Sequence, residues 1–138
     1  MKKKKVSVII PTLNEEKHIG ALLESLKNQT YEGDYEIIVS DGNSEDKTRE
    51  IAKKYTDKVI IEKIRSAAAE RQAGAKQAEG DILLFVDGDC LADKNWIKEL
   101  VSCFDDATVV SAGGRIAPLE KDTIVGLASN FWSAAVYF

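Results

Sequence analysis

The segment Asp81-Ile82-Leu83-Leu84-Phe85-Val86-Asp87-Gly88-Asp89 constrains this chain more than any other. A charge-free apolar run stops at two carboxylates separated by one glycine. A strand with one wet face alternates polar and apolar residues, so an unbroken apolar run predicts a strand buried on both faces of a parallel sheet. If the chain stays extended past Val86, Asp87 and Asp89 point the same way. Gly88 adds no bulk between them and lets a ligand approach the backbone. Two like charges this close call for a cation or a proton. Hard divalent ions take one or two carboxylates and complete their shell with substrate phosphates. A solvated Asp-Gly turn is the competing expectation.

The rest of the chain repeats a strand-then-helix pattern. Val6 to Ile10 is apolar, β-branched and closed by Pro11. Asn14 is placed to cap a helix whose first turn carries Glu15 and Glu16, with Ile19, Leu22, Leu23 and Leu26 at helical spacing. Tyr35 to Val39 predicts a second strand, closed by Ser40-Asp41-Gly42-Asn43-Ser44, and a helix follows from Asp46 to Tyr55. Val59 to Ile61 is a short third strand. Ser66 caps an alanine-rich helix over 67–78, and Gly80 separates it from the fourth strand, Ile82 to Val86. Asp93 caps a helix through Trp96, Ile97, Leu100, Val101 and Phe104. Thr108 to Ser111 is a fifth strand, before Gly113-Gly114. The uncharged stretch Thr123 to Phe138 is shorter than a membrane span and predicts a buried or interfacial helix.

This alternation defines an α/β domain with an open, mostly parallel sheet and helices on both faces. Ligands of such sheets bind outside the carboxyl ends of the strands. Pro11 to Glu15, Asp41 to Ser44 and Asp87 to Asp89 each follow a strand, so all three clusters are expected on one sheet edge. At 138 residues the chain suffices for one domain. A net charge of -4 argues against nucleic acid as the main partner. Cys90 and Cys103 lack metal-finger spacing and are expected to be a pair of buried thiols in a reducing cytosol. His18, the single histidine, excludes a His-cluster metal site.

Such an edge suits a metal-bound diphosphate ester. Asp87 and Asp89 would hold the cation. Asp41 is spaced to meet another part of the ligand, as a carboxylate accepting from a base N–H or ribose hydroxyls. Asn14 and Glu15 could meet ribose or base, with helix capping the alternative for Asn14. Arg71, on the alanine-rich helix, is set to pair with the carboxylates or a phosphate, or to sit on a solvated face. Ala67, Ala68, Ala69, Ala73 and Gly74 would let that helix pack close to its neighbours.

Four motifs in order resemble family 2 glycosyltransferases of the GT-A fold, a Rossmann-like fold that binds nucleotide-diphosphate sugars. Val8-Ile9-Ile10-Pro11-Thr12-Leu13-Asn14-Glu15 looks like the opening strand and loop, and Val39 to Thr48 like the second nucleotide-binding loop. Glu70-Arg71-Gln72-Ala73-Gly74 matches the Arg-x-x-Gly helix, and Phe85-Val86-Asp87-Gly88-Asp89 the DXD motif. The resemblance implies an inverting, metal-dependent transfer of a sugar from a UDP- or GDP-linked donor to an unknown acceptor. It implies that Pro11, Thr12 and Glu15 contact the nucleoside, that Asp41 contacts the base, and that Asp87 lies near ribose and metal. Asp89 would coordinate Mn²⁺ or Mg²⁺, and Arg71 would support the loop or the phosphates.

Two departures stand out. Ser40 occupies a position where the family often has a first acid. No acidic residue follows Asp122, so the family's downstream base has no counterpart, and no catalytic residue is assigned. The chain is therefore expected to be a donor-binding part, truncated at its C-terminus, with the acceptor part missing. The alternative is a catalytically incomplete sugar-nucleotide binding module that needs a partner chain. Phe131, Trp132, Val136, Tyr137 and Phe138 are expected to cover an open edge, to self-associate, or to touch the cytoplasmic face of a membrane. A sugar-phosphate nucleotidyltransferase would want a glycine-rich basic loop where Pro11 to Glu16 stands. A dinucleotide dehydrogenase would want G-x-G-x-x-G.

Overall fold

A computed structural model describes residues 3–115 and 132–137. Six strands form one sheet: β1 (Val6–Thr12), β2 (Tyr35–Asp41), β3 (Val59–Ile61), β4 (Ile82–Phe85), β5 (Ser111–Arg115) and β6 (Trp132–Tyr137). The helices are α1 (Ile19–Lys27), α2 (Thr48–Ala52), α3 (Ala67–Lys76) and α4 (Trp96–Ser102), the last continued by a 3₁₀ turn over Cys103–Asp105. The strand order is β3-β2-β1-β4-β6-β5. The first four strands are mutually parallel, with Val6 opposite Tyr35 on one side of β1 and opposite Ile82 on the other. The central strand β1 is buried at every position, as a strand covered by helices on both faces must be.

Side-chain alternation divides the sheet into two faces. Val6, Val8, Ile10, Ile37, Val39, Ile82 and Leu84 join one core with Leu22, Leu23 and Leu26 of α1 and Ile97, Leu100 and Val101 of α4. The other face of β1 meets α3. A Cβ added to Gly74 would lie 2.5 Å from Ile9 Cγ2, so the absence of a side chain there sets how closely α3 approaches the sheet. Among the described residues no helix is long and apolar enough to cross a membrane.

Two expectations fail at the far edge. The fifth strand does not begin at Thr108. Asp106 accepts from Thr108 N through Oδ1 and from Val109 N through its carbonyl, and this turn delays pairing to Ser111. Gly113 and Gly114 lie inside β5 rather than after it. Nor is Trp132–Tyr137 helical. It is the antiparallel strand β6, inserted between β4 and β5 with Leu84 opposite Ala135. Without it β4 would end the sheet with unpaired backbone groups, and β6 covers that edge as the apolar end was expected to do. The rest of the expected helix, 123–131, lies outside the described residues, as do Phe131 and Phe138.

Candidate functional site: a cleft over the carboxyl ends of β1 and β4

A cleft of about 350 Å³ opens at the carboxyl ends of β1 and β4, below the first turns of α3. Pro11 and Thr12 line it from the end of β1, Glu15 from the loop that follows, and Asp87, Gly88 and Asp89 from the loop after β4. Ser66, Ala67, Glu70 and Arg71 close it from α3. The open-sheet rule puts a ligand at this end of the strands, and the cleft lies there.

The two aspartates of the DGD segment both reach the cleft, though not by an extended strand. Val86 N still donates to Ile9 O, but Cys90 N donates to Asp87 O and closes a turn through Gly88 and Asp89. Gly88 is buried by packing. A Cβ there would sit 3.2 Å from both Thr12 Oγ1 and Glu15 Cγ, so the glycine lets the β4 loop lie against the β1 loop. Arg71 Nη2 donates to Asp87 Oδ1 at 2.6 Å, which ties α3 to the DGD turn across the cleft. Burial and the nearby charges of Asp89 and Asp87 push the Cys90 thiol up to about 11, so it stays protonated at neutral pH. Among the described residues no three His, Cys, Asp or Glu side chains form a ready cation cage. Asp87 and Asp89 offer two hard carboxylates, a donor set that suits an ion whose other ligands come from a diphosphate and water.

Thr12 is 3% exposed and its hydroxyl has no hydrogen-bond partner among the described residues. A buried, unsatisfied hydroxyl is unfavourable unless something fills it. Here it borders the cleft, so a bound ligand can satisfy it.

Asn14 and Asp41 do not line the cleft. Asn14 is not a helix cap either, because α1 begins only at Ile19, after a turn in which His18 N and Ile19 N both donate to Glu15 O. Asn14 adopts a left-handed backbone (φ 55°). Its N donates to Ser44 Oγ, and its Oδ1 accepts from Glu45 N, both at 2.8 Å. Glu15 N donates to Thr48 Oγ1 and Glu16 N to Asp46 Oδ2, so the loop after β1 is zipped to the loop after β2. Asp41 is 0% exposed and accepts from Ser44 N and Ser44 Oγ, with Arg49 Nε at 3.6 Å. The alternation of β2 explains this. Position 41 shares the parity of Ile37 and Val39 and turns toward α2, whereas the cleft lies on the α3 side. Ser40 has the opposite parity, is fully buried and has an unpartnered hydroxyl among the described residues.

Glu70 is the residue that sequence reasoning missed. It is 3% exposed on the inner face of α3 and lines the cleft. Its carboxylate abuts Gly42, where a Cβ would collide with Glu70 Oε1. Burial first, and the Asp41 charge second, push its carboxyl above the ordinary carboxylate value, against the pull of Arg71. No hydrogen bond or ion pair to that carboxylate exists among the described residues. A signal was present in the sequence. Glu70 lies four residues before Gly74, so the two share a helix face, and a glycine with that spacing marks the packed face.

The open sheet with its cleft at the carboxyl ends of the strands defines a domain of GT-A type. The model of the glycosyl transferase family 2 matches residues 7–138, and the chain belongs to that family. It is 36% identical over 118 residues to the glycosyltransferase AglE of Haloferax volcanii, covering 80% of this chain and 39% of AglE. The structure of S. aureus TarS 1-349 in complex with UDP-GlcNAc superposes with a TM-score of 0.75 at 32% identity, over 90% of this chain and 37% of that one. The fold is shared as well with the mannosyltransferase PcManGT of Pyrobaculum calidifontis, in complex with GDP-Man and Mn²⁺. There the TM-score is 0.78 at 23% identity, over 99% of this chain and 45% of that one. The chain thus spans less than half the length of each.

Proposed function

We propose that this chain is the donor-binding part of a glycosyltransferase that moves a sugar from a nucleotide diphosphate to an acceptor hydroxyl, with inversion and with a divalent metal. The observation that supports this most is the convergence of Asp87, Asp89 and Arg71 beside the unpartnered Thr12 hydroxyl, at the end of the sheet where ligands of this architecture bind. Asp89 and Asp87 would hold Mg²⁺ or Mn²⁺, which supplies neutralisation of the charge on the leaving diphosphate. Arg71 holds Asp87 on the cleft wall through one N–H and keeps its remaining donors for phosphate oxygens. Pro11, Thr12 and Glu15 meet the nucleoside. In the transfer, the acceptor oxygen bonds to the anomeric carbon, and the bond from that carbon to the diphosphate oxygen breaks. The electron pair leaves with the nucleotide, and the acceptor proton passes to a base.

A binding module that needs a partner chain uses the same cleft and lacks only the base. Thermal unfolding with UDP, GDP and their sugars, with and without Mn²⁺, tests the donor site. A ligand at 100 times its dissociation constant adds about 2.7 kcal/mol. A metal-requiring shift that Asp89→Asn abolishes is expected, and no shift with any nucleotide would refute the proposal. Slow, metal-dependent release of nucleotide from the donor would then rule out the pure binding module.

A further inference from the structure

We propose that Glu70 reads the nucleobase: its carboxylate accepts the ring N–H of a uracil or guanine held between α3 and the ends of β1 and β2. The inference rests on the donor-site assignment above and adds the specificity residue. Three observations carry it.

The first is position. Asp87 and Asp89 follow β4, while Glu70 reaches over the end of β2 to Gly42, with β1 between them. Two strand spacings separate the groups, about 10 Å. That distance matches the span of a ribose between a diphosphate and its base. With the diphosphate at the aspartates, the base lies at Glu70.

The second is the state of the carboxylate. Glu70 is nearly sequestered from water and has no hydrogen-bond or ion-pair partner among the described residues. Asp41, the other acid in this region, is spent on Ser44 and Arg49 on the opposite face of the sheet. A buried carboxylate without a partner is destabilising unless a ligand donates to it. Burial and the Asp41 charge raise its proton affinity, which strengthens it as an acceptor for an N–H.

The third is the chemistry of the bases. Uracil and guanine carry a ring N–H on the pairing edge, and guanine adds an amino N–H beside it to form a fork that matches two carboxylate oxygens. Cytosine and adenine present a ring-nitrogen acceptor at that place, which a carboxylate repels.

The test measures binding of UDP, GDP, CDP and ADP to this chain by titration calorimetry with Mn²⁺ present, with inorganic pyrophosphate and Mn²⁺ as the base-free probe. The wild type is expected to bind UDP or GDP at least about tenfold more tightly than CDP and ADP, the value of one hydrogen bond to a charged group. Glu70→Ala should reduce that preference to within about threefold and leave pyrophosphate binding unchanged. Glu70→Gln, whose amide oxygen still accepts, should fall between the two. Persistence of the full preference in Glu70→Ala overturns the inference. So does equal wild-type affinity for all four nucleotides when pyrophosphate binds, and that result leaves the donor site standing. Failure of the wild type to bind even pyrophosphate with Mn²⁺ overturns both.

Discussion

Gly74→Ala tests whether the approach of α3 to β1 is fixed by the absence of one methyl group. In an open helix the change would stabilise the protein by about 1 kcal/mol, the difference in helix propensity between glycine and alanine. Here the new Cβ would lie 2.5 Å from Ile9 Cγ2, with Ile9 Cβ and Cγ1 at 3.6 Å. Ile9 is fully buried and β-branched, so the struck methyl cannot swing aside. Relief to ordinary contact requires α3 and β1 to part by about 1 Å. Overpacking of this kind costs about 1–3 kcal/mol, which outweighs the propensity gain and leaves a net loss of about 0–2 kcal/mol. The same helix carries Arg71, so the shift also strains the 2.6 Å bond to Asp87. Urea unfolding followed by far-ultraviolet circular dichroism reads the net effect, and a cycle with Ile9→Ala separates its parts. Ile9→Ala alone should cost about 2–5 kcal/mol. In that background Gly74→Ala should become stabilising, giving a coupling of about 1–3 kcal/mol. Stabilisation of the wild type by Gly74→Ala, or a coupling near zero, would refute the close-packing argument.

Glu70→Gln removes an unpaired buried charge and should raise stability at pH 7.5 by about 1–3 kcal/mol in chemical unfolding without nucleotide. The folded-state value of Glu70 is raised, so its contribution is full below the ordinary 4.5 and is lost as pH rises through the folded value. The gap between variant and wild type should therefore widen as pH rises from 4.5 through the folded value, level off above it and close below 4.5. Glu79 has the opposite sign. Hydrogen bonds from Lys5 and Lys58 hold it at about 2, so its contribution is present above 4.5 and is lost as pH falls toward 2. Glu79→Gln should flatten that acid limb, and added salt should do the same. Thr12→Val keeps shape and removes a hydroxyl without a partner, so melting without ligand should hold or rise while nucleotide affinity falls. Asp87→Asn breaks an ion pair whose members are 39% and 57% exposed, so thermal stability should change by less than about 1 kcal/mol. Metal-dependent nucleotide binding by the same variant should be lost.

The parallel half of the sheet was legible because its cause is local. Val6 to Ile10 and Ile82 to Val86 are apolar runs that only a doubly covered strand accommodates, and each is closed by a turn signal. The cleft was legible in part for the same reason, since residues that follow parallel strands collect at one sheet edge. What the pattern could not supply was the face on which each side chain falls once the strand ends. Asp41 ends β2 at the expected sheet edge, and strand parity turns its side chain toward α2. Asn14 was expected to cap a helix, but its left-handed backbone makes it a brace between two loops. Glu70 falls within the Arg-x-x-Gly segment but no motif position singles it out, because burial of a charged residue is decided by a tertiary contact, here the bare Gly42. The strand β6 was misjudged as a helix because a short uncharged stretch fits either state until the strand it pairs with is known.

The most direct measurement is the electron paramagnetic resonance signal of free Mn²⁺ during titration of this chain, alone and with UDP or GDP, in the wild type and Asp89→Asn. A donor site built on Asp87 and Asp89 predicts little loss of free signal without nucleotide and strong loss with it, because the diphosphate completes the coordination sphere. Asp89→Asn should abolish that loss. Equal Mn²⁺ uptake with and without nucleotide, or unchanged uptake in the variant, would contradict the assignment of this cleft as a metal-diphosphate site.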